Sequence, residues 1–339
     1  MIAHNFRPRI LPLLLGLFFL QAATVFSQRF DVPKTTGSYW FKGNTHTHTT
    51  KSDGDSPPEV VTQWYKSHGY NFLVLSDHNT LTDTSSLPSF IDSTFILIRG
   101  EELTTSAKKK PVHVNALNIQ QRIDPRKDSI LVRSLQLNVD AVREAGGLPH
   151  INHPNFCWAF DQKELANVRG YSLLEIFNGH PEVHNLGGGN SPSVEAMWDQ
   201  LLSRGMKIYG LATDDAHNFS GEFSRTRANP GRGWIVVRAD NLEANELMQK
   251  LEAGQFYAST GVELNQVRIA PKQMEVQIRQ KKDFKYTTEF IGTNGRVLAT
   301  VKTNPAAYTL RGSEKYVRAR VVDSGGARAW VQPVFVIAQ

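Results

Sequence analysis

The chain has one cysteine, Cys157, among 339 residues. A single thiol closes no internal disulfide, so stability has to come from the core. Cys157 sits between Phe156 and Trp158 and reads as a small hydrophobe in aromatic surroundings rather than as a nucleophile. After residue 27 no apolar run is long enough to span a bilayer, which argues against a stable membrane span. No basic run is interleaved with aromatics, which argues against a nucleic-acid partner. Lys108–Lys110 is a short charge run, read as a solvated loop or as charge beside a site mouth. There is no internal repeat and no low-complexity linker. Hydrophobic residues make up 40%, ordinary for a globular chain, so disorder is not the default.

What is present begins with a leader. Residues 1–27 carry Arg7 and Arg9, an apolar run from Ile10 to about Leu20, then small residues up to Ser27. That order is the pattern of a secretory signal peptide, cleaved after Ser27, and it places the protein in the periplasm or outside the cell. No cysteine follows the apolar run, which argues against a lipoprotein. Without Arg7 and Arg9 the formal net charge falls from +6 to about +4, so what remains is only mildly basic and fits a small, anionic substrate. Nothing in the sequence sets an oligomeric state.

From Tyr39 onward, short apolar runs alternate with amphipathic stretches. Ser56-Pro57-Pro58-Glu59 predicts a helix start and Gly69 its stop. Ile130–Ala145, a stretch opened by Ser191-Pro192, and Leu242–Ala253 predict further helices. Between them, Phe72–Leu75, Phe95–Ile98, Val112–Ile119, Leu148–Ile151, Leu173–Phe177 and Lys207–Ala212 predict strands. Strand–helix repetition implies a parallel α/β sheet, with about seven units between Phe41 and Leu211, close to a (β/α) barrel. After Gly261 the texture changes. Met274, Val276 and Ile278 alternate with polar residues, and Asn294-Gly295 separates two apolar runs as in a hairpin. The expected organisation is a signal peptide over 1–27, a barrel over 28–260 and a small antiparallel β unit over 261–339.

The polar residues that follow these strands are His46, His48 and Asp53, then His78, Glu102, His153, Asp215 and His217; His113 lies at the start of its run. In an extended segment residues two apart share a face, so His46 and His48 aim two imidazoles at one point. Six of the eleven histidines fall in this set. Nine nitrogen and oxygen donors exceed the needs of one ion and suit two or three divalent ions with a shared carboxylate.

The chain resembles the polymerase and histidinol phosphatase (PHP) family of metal-dependent hydrolases. The resemblance rests on His46-Thr47-His48 with Ser52-Asp53-Gly54, Ser76-Asp77-His78, Gly100-Glu101-Glu102, His113, Asn152-His153-Pro154 and Asp215-Ala216-His217, in the family's order from Phe41 to Ala258. It implies a distorted seven-stranded barrel and two or three Mn, Fe or Zn ions. His46, His48, Glu102 and Asp215 would hold one ion, and Glu102 would bridge to a second on His113 and His153. Asp53, His78 and His217 would hold the third. His180 or His150 is a candidate proton donor, and Arg232, with Arg225 and Arg227 on the same loop, a candidate phosphate clamp. The implied activity is a phosphoesterase acting on a small organic mono- or diester through a metal-activated hydroxide. The stretch Trp198-Asp199 to Trp234 also resembles a branch with carbamate-ester hydrolases, so hydrolysis of carboxylic or carbamic esters or amides is the alternative. A second alternative is an inactive surface- or glycan-binding protein.

Overall fold

A computed structural model describes residues 1–2, 28–33 and 37–338; the apolar run and cleavage region of the expected signal peptide lie outside the described residues. After a short β1 (Gln28–Phe30), seven strands pair with one another in chain order. They are β2 (Tyr39–Asn44), β3 (Phe72–Leu75), β4 (Ile96–Ala107), β5 (Lys110–Leu117), β6 (Leu148–Ile151), β7 (Leu173–Asn178) and β8 (Tyr209–Thr213). The spacing predicts parallel neighbours throughout, and here the structure differs. β2–β3–β4 and β6–β7–β8 are parallel, but β5 runs antiparallel to both β4 and β6. The reason is local. Lys108 and Lys109 turn the chain at φ of 50° and 63°, so β4 folds straight back as β5 with no room for a crossover helix. No ladder joins β8 to β2; they meet through one isolated parallel bridge, Thr47–Ala216.

The helices follow the apolar periodicity: α1 (Pro58–Ser67), α2 (Leu131–Glu144), α3 (Gln162–Ala166), α4 (Val194–Ser203) and α5 (Ala244–Glu252). α2 buries Leu135, Val139 and Val142, and α4 buries Met197, Trp198, Leu201 and Leu202. Each fully buried side chain of this size contributes about 1.5–3 kcal/mol. The Trp198 indole N–H is not left unpaired, since it donates to the Ile208 carbonyl at 2.9 Å. Two caps differ from the sequence prediction. Pro57 takes the cap of α1 while the Ser56 hydroxyl turns to Asp55, and Ser193 caps α4 by accepting from the Ala196 N–H at 3.1 Å. Helix α3 has an Asp161–Glu164 capping box, a signal present in the sequence but not used in reading it. Among the described residues no helix is long and apolar enough to cross a membrane.

β9 (Trp234–Ala239) adds antiparallel to β2, and β10 (Phe256–Ser259) antiparallel to β9. The last stretch contains β11 (Leu264–Ala270), β12 (Gln273–Ile278), β13 (Tyr286–Gly292), β14 (Arg296–Val301), β15 (Ala306–Thr309), β16 (Tyr316–Asp323) and β17 (Arg328–Ala338). It is antiparallel, as the alternation predicts, and Asn294-Gly295 forms the β13–β14 turn with both residues at positive φ. It is not a sheet set apart, however. β17, β16, β13 and β14 continue the main sheet beyond β10, and only β11, β12 and β15 form a second sheet. Met274, Val276 and Ile278 from that second sheet share a buried core with Phe290, Val317, Ala319 and Val331.

This tail is pinned to α4 by buried charge. The Arg318 guanidinium donates through Nε and Nη2 to the Asp199 carboxylate at 2.7 and 2.6 Å, and Nη2 lies 2.9 Å from Glu195. The Tyr316 hydroxyl donates to Asp199 at 2.9 Å, and the Asn294 N–H of the β13–β14 turn donates to Ser203 at 2.7 Å. A Cβ on Gly295 would fall 2.9 Å from the Asp199 carboxylate, so the turn sits too close for any larger residue.

Candidate metal centre

The opening loop is shaped by side chains that are not themselves at the centre. Asn44, at the end of β2, accepts from the His46 N–H at 2.9 Å and donates to Gly233. Asp77, after β3, accepts from the Thr49 N–H and from the hydroxyls of Thr49, Ser52 and Thr82. These bonds fold the loop back so that Asp53 faces the histidines. Gly54 makes the fold possible, because a Cβ there would lie 2.7 Å from the His48 carbonyl.

The structure brings all nine expected donors together. Four overlapping groups form: His46, His48 and Glu102; His46, His153 and Asp215; Glu102, His113 and His153; and His48, Asp53, His78 and His217. Glu102 lies at the middle. Its Oε2 is 3.5, 3.4 and 2.9 Å from ring nitrogens of His46, His48 and His78, and its Oε1 is 2.9 and 3.5 Å from those of His113 and His153. Asp215 Oδ1 is 3.3 and 3.2 Å from Nε2 of His46 and His48. Asp53, half exposed, is 3.4, 3.4 and 3.3 Å from His48, His78 and His217. Glu101 points elsewhere and accepts from the Ile123 N–H at 2.6 Å, while burial pushes its carboxyl up to about 6.

His113 stands at the right end of the sheet because β5 is antiparallel. The start of β5 lies level with the far end of β4, and His113 pairs in register with Thr104, two residues past Glu102. A residue early in this strand therefore shares a face with residues that follow the parallel strands.

Burial disfavours charge throughout, yet the carboxylates stay ionised. Against that burial, the His113, His46 and His78 imidazoles hold Glu102 well below the usual carboxylate range, and His46, His48 and His217 do the same for Asp215. The rings are pulled in opposite directions. Burial and the neighbouring His217 push His48 down, whereas Glu102 and Asp53 outweigh burial and lift His78 to about 10. Among the described residues His46 Nε2, His48 Nε2, Glu102 Oε2 and His113 Nδ1 are buried with no hydrogen-bond partner. Ligands about 2.1 Å from a tetrahedral ion stand roughly 3.4 Å apart. The imidazole–carboxylate separations match that spacing, so the donor set fits divalent transition metals.

Glu175 is the functional residue missed in the sequence reading. It lies buried in β7, and its Oε1 accepts from His46 Nδ1 at 2.7 Å and from the Thr213 hydroxyl at 2.6 Å. Its Oε2 accepts from the His153 N–H at 2.7 Å and the Asn178 amide at 3.0 Å. The available signal was a lone charge inside the apolar run Leu173–Phe177. His150 lies beneath the centre, 3.4 Å from Glu175, and burial lowers its pKa. His180 stands beside His217, with ring centres 5.3 Å apart. Its Nδ1 accepts from the Glu182 N–H at 3.2 Å, which leaves the proton on Nε2. Arg232 braces loops rather than reaching into the centre: its guanidinium donates to the carbonyls of Gly179 (2.8 Å) and Ser224 (2.5 Å). Arg227 pairs with Asp55 at 3.2 Å, and Arg225 is exposed. Trp198 and Asp199, which carry part of the carbamate-branch resemblance, belong to the contact between α4 and the tail.

No family model matches the chain. The 5'-3' exoribonuclease of Haemophilus influenzae is 25% identical over 235 residues, covering 64% of this chain and 84% of that protein. A solved protein of Bifidobacterium adolescentis described as a metal-dependent phosphoesterase has 14% identity over 62% of this chain and 95% of its own, with a TM-score of 0.41, too low to argue from. A two-domain protein of Bacteroides vulgatus containing a predicted PHP-like metal-dependent phosphoesterase superposes with a TM-score of 0.51, at 16% identity, over 91% of this chain and 98% of its own. With nearly the whole length of both chains aligned, the present chain is PHP-like in fold.

Proposed function

We propose that this chain is a metal-dependent hydrolase acting on a small phosphate mono- or diester. The observation that carries the reading is Glu102, a buried carboxylate with imidazoles on both oxygens and no lysine or arginine beside it. His46, His48, Glu102 and Asp215 would hold one ion, Glu102, His113 and His153 a second, and Asp53, His78 and His217 a third. Divalent ions held there acidify water and neutralise charge building on a phosphoryl group.

The remaining steps belong to the chain. Glu175 takes the Nδ1–H of His46 and so turns the Nε2 lone pair inward, and Asn152 holds Glu102 Oε1 at 2.7 Å. His180 is the candidate to protonate a leaving oxygen, a step that requires its imidazolium form, in which Nδ1 gives up the hydrogen bond it accepts from the Glu182 N–H. Burial lowers its pKa and so disfavours that form until a negatively charged ligand stands beside it. The name of the Haemophilus relative describes cleavage of a phosphodiester-linked polymer, which supports phosphoester over carbonyl chemistry. On this reading β2–β8 form the distorted seven-stranded barrel, joined at Thr47–Ala216, with residues 261–339 as the β unit. The leader places the enzyme in the periplasm or outside the cell, which N-terminal sequencing of exported protein would check.

Two measurements test the proposal. Elemental analysis of protein purified without chelator should find two or three Mn, Fe or Zn ions per chain. A panel of aryl phosphates, phosphodiesters, carboxylate esters and carbamates should show chelator-sensitive turnover of the phosphoesters. Turnover confined to the carbonyl substrates would replace the substrate class, and a metal-free protein indifferent to chelator would remove the proposal altogether.

A further inference from the structure

One feature beside the centre has no part in holding metal or in moving a proton. Phe156 walls the centre, its ring centre 5.1 Å from that of His153 and 6.2 Å from that of His113. Two residues on, and so within about 8 Å along the backbone, Trp158 turns outward with 37% of its surface exposed. Its ring stacks on the exposed His184, with centres 4.8 Å apart and planes 18° from parallel. Cys157 and Trp158 both adopt left-handed backbone, at φ of 49° and 52°, a conformation that residues with a Cβ rarely take in succession. Backbone of this kind is kept where the surrounding structure enforces it, typically at a functional site.

The enforcement is visible. The buried Asn155 amide donates to the carbonyls of His184 and Pro192 at 2.9 and 3.1 Å, tying the Trp158 turn to the loop that carries His184. The Lys110 amine donates to the Trp158 carbonyl at 2.8 Å, tying the same turn to the β4–β5 hairpin. The loop that carries His184 runs on into glycines, and a Cβ on Gly188 would lie 3.7 Å from the indole. The indole is thus fixed by its surroundings, backed by His184 and left partly exposed two residues from the Phe156 wall of the centre.

We propose that Trp158, backed by His184, is a stacking platform for a planar aromatic ring in the substrate, a nucleobase or an aryl group, while the ester is held at the metal centre. This rests on the phosphoesterase reading for the reacting end alone. Lys108 and Lys109, exposed at the tip of the hairpin that Lys110 anchors, add positive charge for an anionic ligand.

The test separates ring binding from turnover. Metal-loaded protein is titrated calorimetrically with methylphosphonate, naphthylmethylphosphonate and a nucleoside phosphonate, none of which it can hydrolyse. The ring-bearing ligands should bind about 10-fold or more tighter than methylphosphonate, the size of one ring–aromatic stack. Trp158→Ala should erase that ratio without weakening methylphosphonate, Trp158→Phe should keep most of it, and His184→Ala should reduce it. A ratio that survives Trp158→Ala, an equal loss for all three ligands, or no preference in the wild type would each overturn the platform. So would an unchanged ratio together with a change in oligomeric state, which would mark Trp158 as a protein contact. A Trp158-dependent ratio in a protein that hydrolyses no phosphoester would leave the platform standing and remove the phosphoesterase reading. Preference for the nucleoside over the naphthyl ligand would identify the ring as a nucleobase.

Discussion

Two groups of buried charge in this molecule are built on opposite plans. Around Arg318, which is 1% exposed, donors and acceptors alternate: one guanidinium faces Asp199 and Glu195, and a tyrosine hydroxyl adds a further donor to Asp199. Around Glu102, the charged partners are imidazoles alone. Carboxylate oxygens and imidazole nitrogens point at one another with no lysine or arginine among them, and several are left without partners. The first group pairs its carboxylates with guanidinium groups and ties the tail to α4, leaving Arg318 Nη1 without a hydrogen-bond partner. The second has no such fixed cation, and its donor set fits a divalent metal. Burial is common to both, so burial alone does not mark a functional site; the balance of donors and acceptors does.

The contrast can be broken from either side. The largest effect belongs to Glu102→Gln, which should leave no turnover above the chelated background and lower the bound metal, while chelated mutant and chelated wild type unfold at similar denaturant concentration. Loss of folding instead would make Glu102 a structural residue like Asp199. Next comes Arg318→Met, which strands a buried carboxylate and should cost about 3–5 kcal/mol in urea unfolding with metal content per folded chain unchanged. Adding Asp199→Leu should recover much of that cost, since both charges are then gone. Glu175→Gln sits between the two plans. It keeps the shape but turns an amide toward two donors and weakens the hold on His46, and should reduce metal affinity by about 10–100-fold in competition with a chelator, with a stability loss of about 1–3 kcal/mol.

The smallest effect concerns Glu314, a satisfied carboxylate in the tail. It accepts from the Tyr308 hydroxyl and from the N–H groups of Arg311, Gly312 and Ser313. Burial opposes its charge, but these donors outweigh it and hold the carboxyl below its ordinary 4.5. With the folded-state value depressed, its stabilisation is present above pH 4.5 and is lost as pH falls through the folded value. Glu314→Gln should therefore cost about 1–2 kcal/mol at pH 7, and the gap from wild type should close in unfolding curves taken below pH 4. A gap that widened in acid would reverse the assignment.

Most of the centre could be read from the sequence because each donor follows a short apolar run, and strand ends of a wound sheet converge. His113 breaks that rule in sequence and obeys it in space, since a tight turn reverses β5. Pairings distant along the chain could not be read. Asp199 lies in a helix and Arg318 in a strand 119 residues later, and nothing local to either announces the other. Arg232 was hard to read for a related reason. A guanidinium near a Gly/Pro loop looks the same in sequence whether it meets phosphate or, as here, two main-chain carbonyls. The continuity of the tail with the main sheet was hidden because alternation reports which face a strand buries and not which neighbour it pairs with.

The single bridge at Thr47–Ala216 has a consequence for how the protein matures. The His48 N–H donates to the Ala216 carbonyl at 2.9 Å and the Asp215 N–H to the His46 carbonyl at 3.0 Å, so the first and last ligand loops are fastened as one piece. Those loops are 169 residues apart in the chain. Contacts of such long range form late in folding. A partly synthesised or partly unfolded chain, with His46 and His48 present but Asp215 and His217 not yet beside them, lacks two of the four donor groups, while Glu102, His113 and His153 need neither residue. The full set of nine donors is therefore assembled only once the sheet has wound fully round.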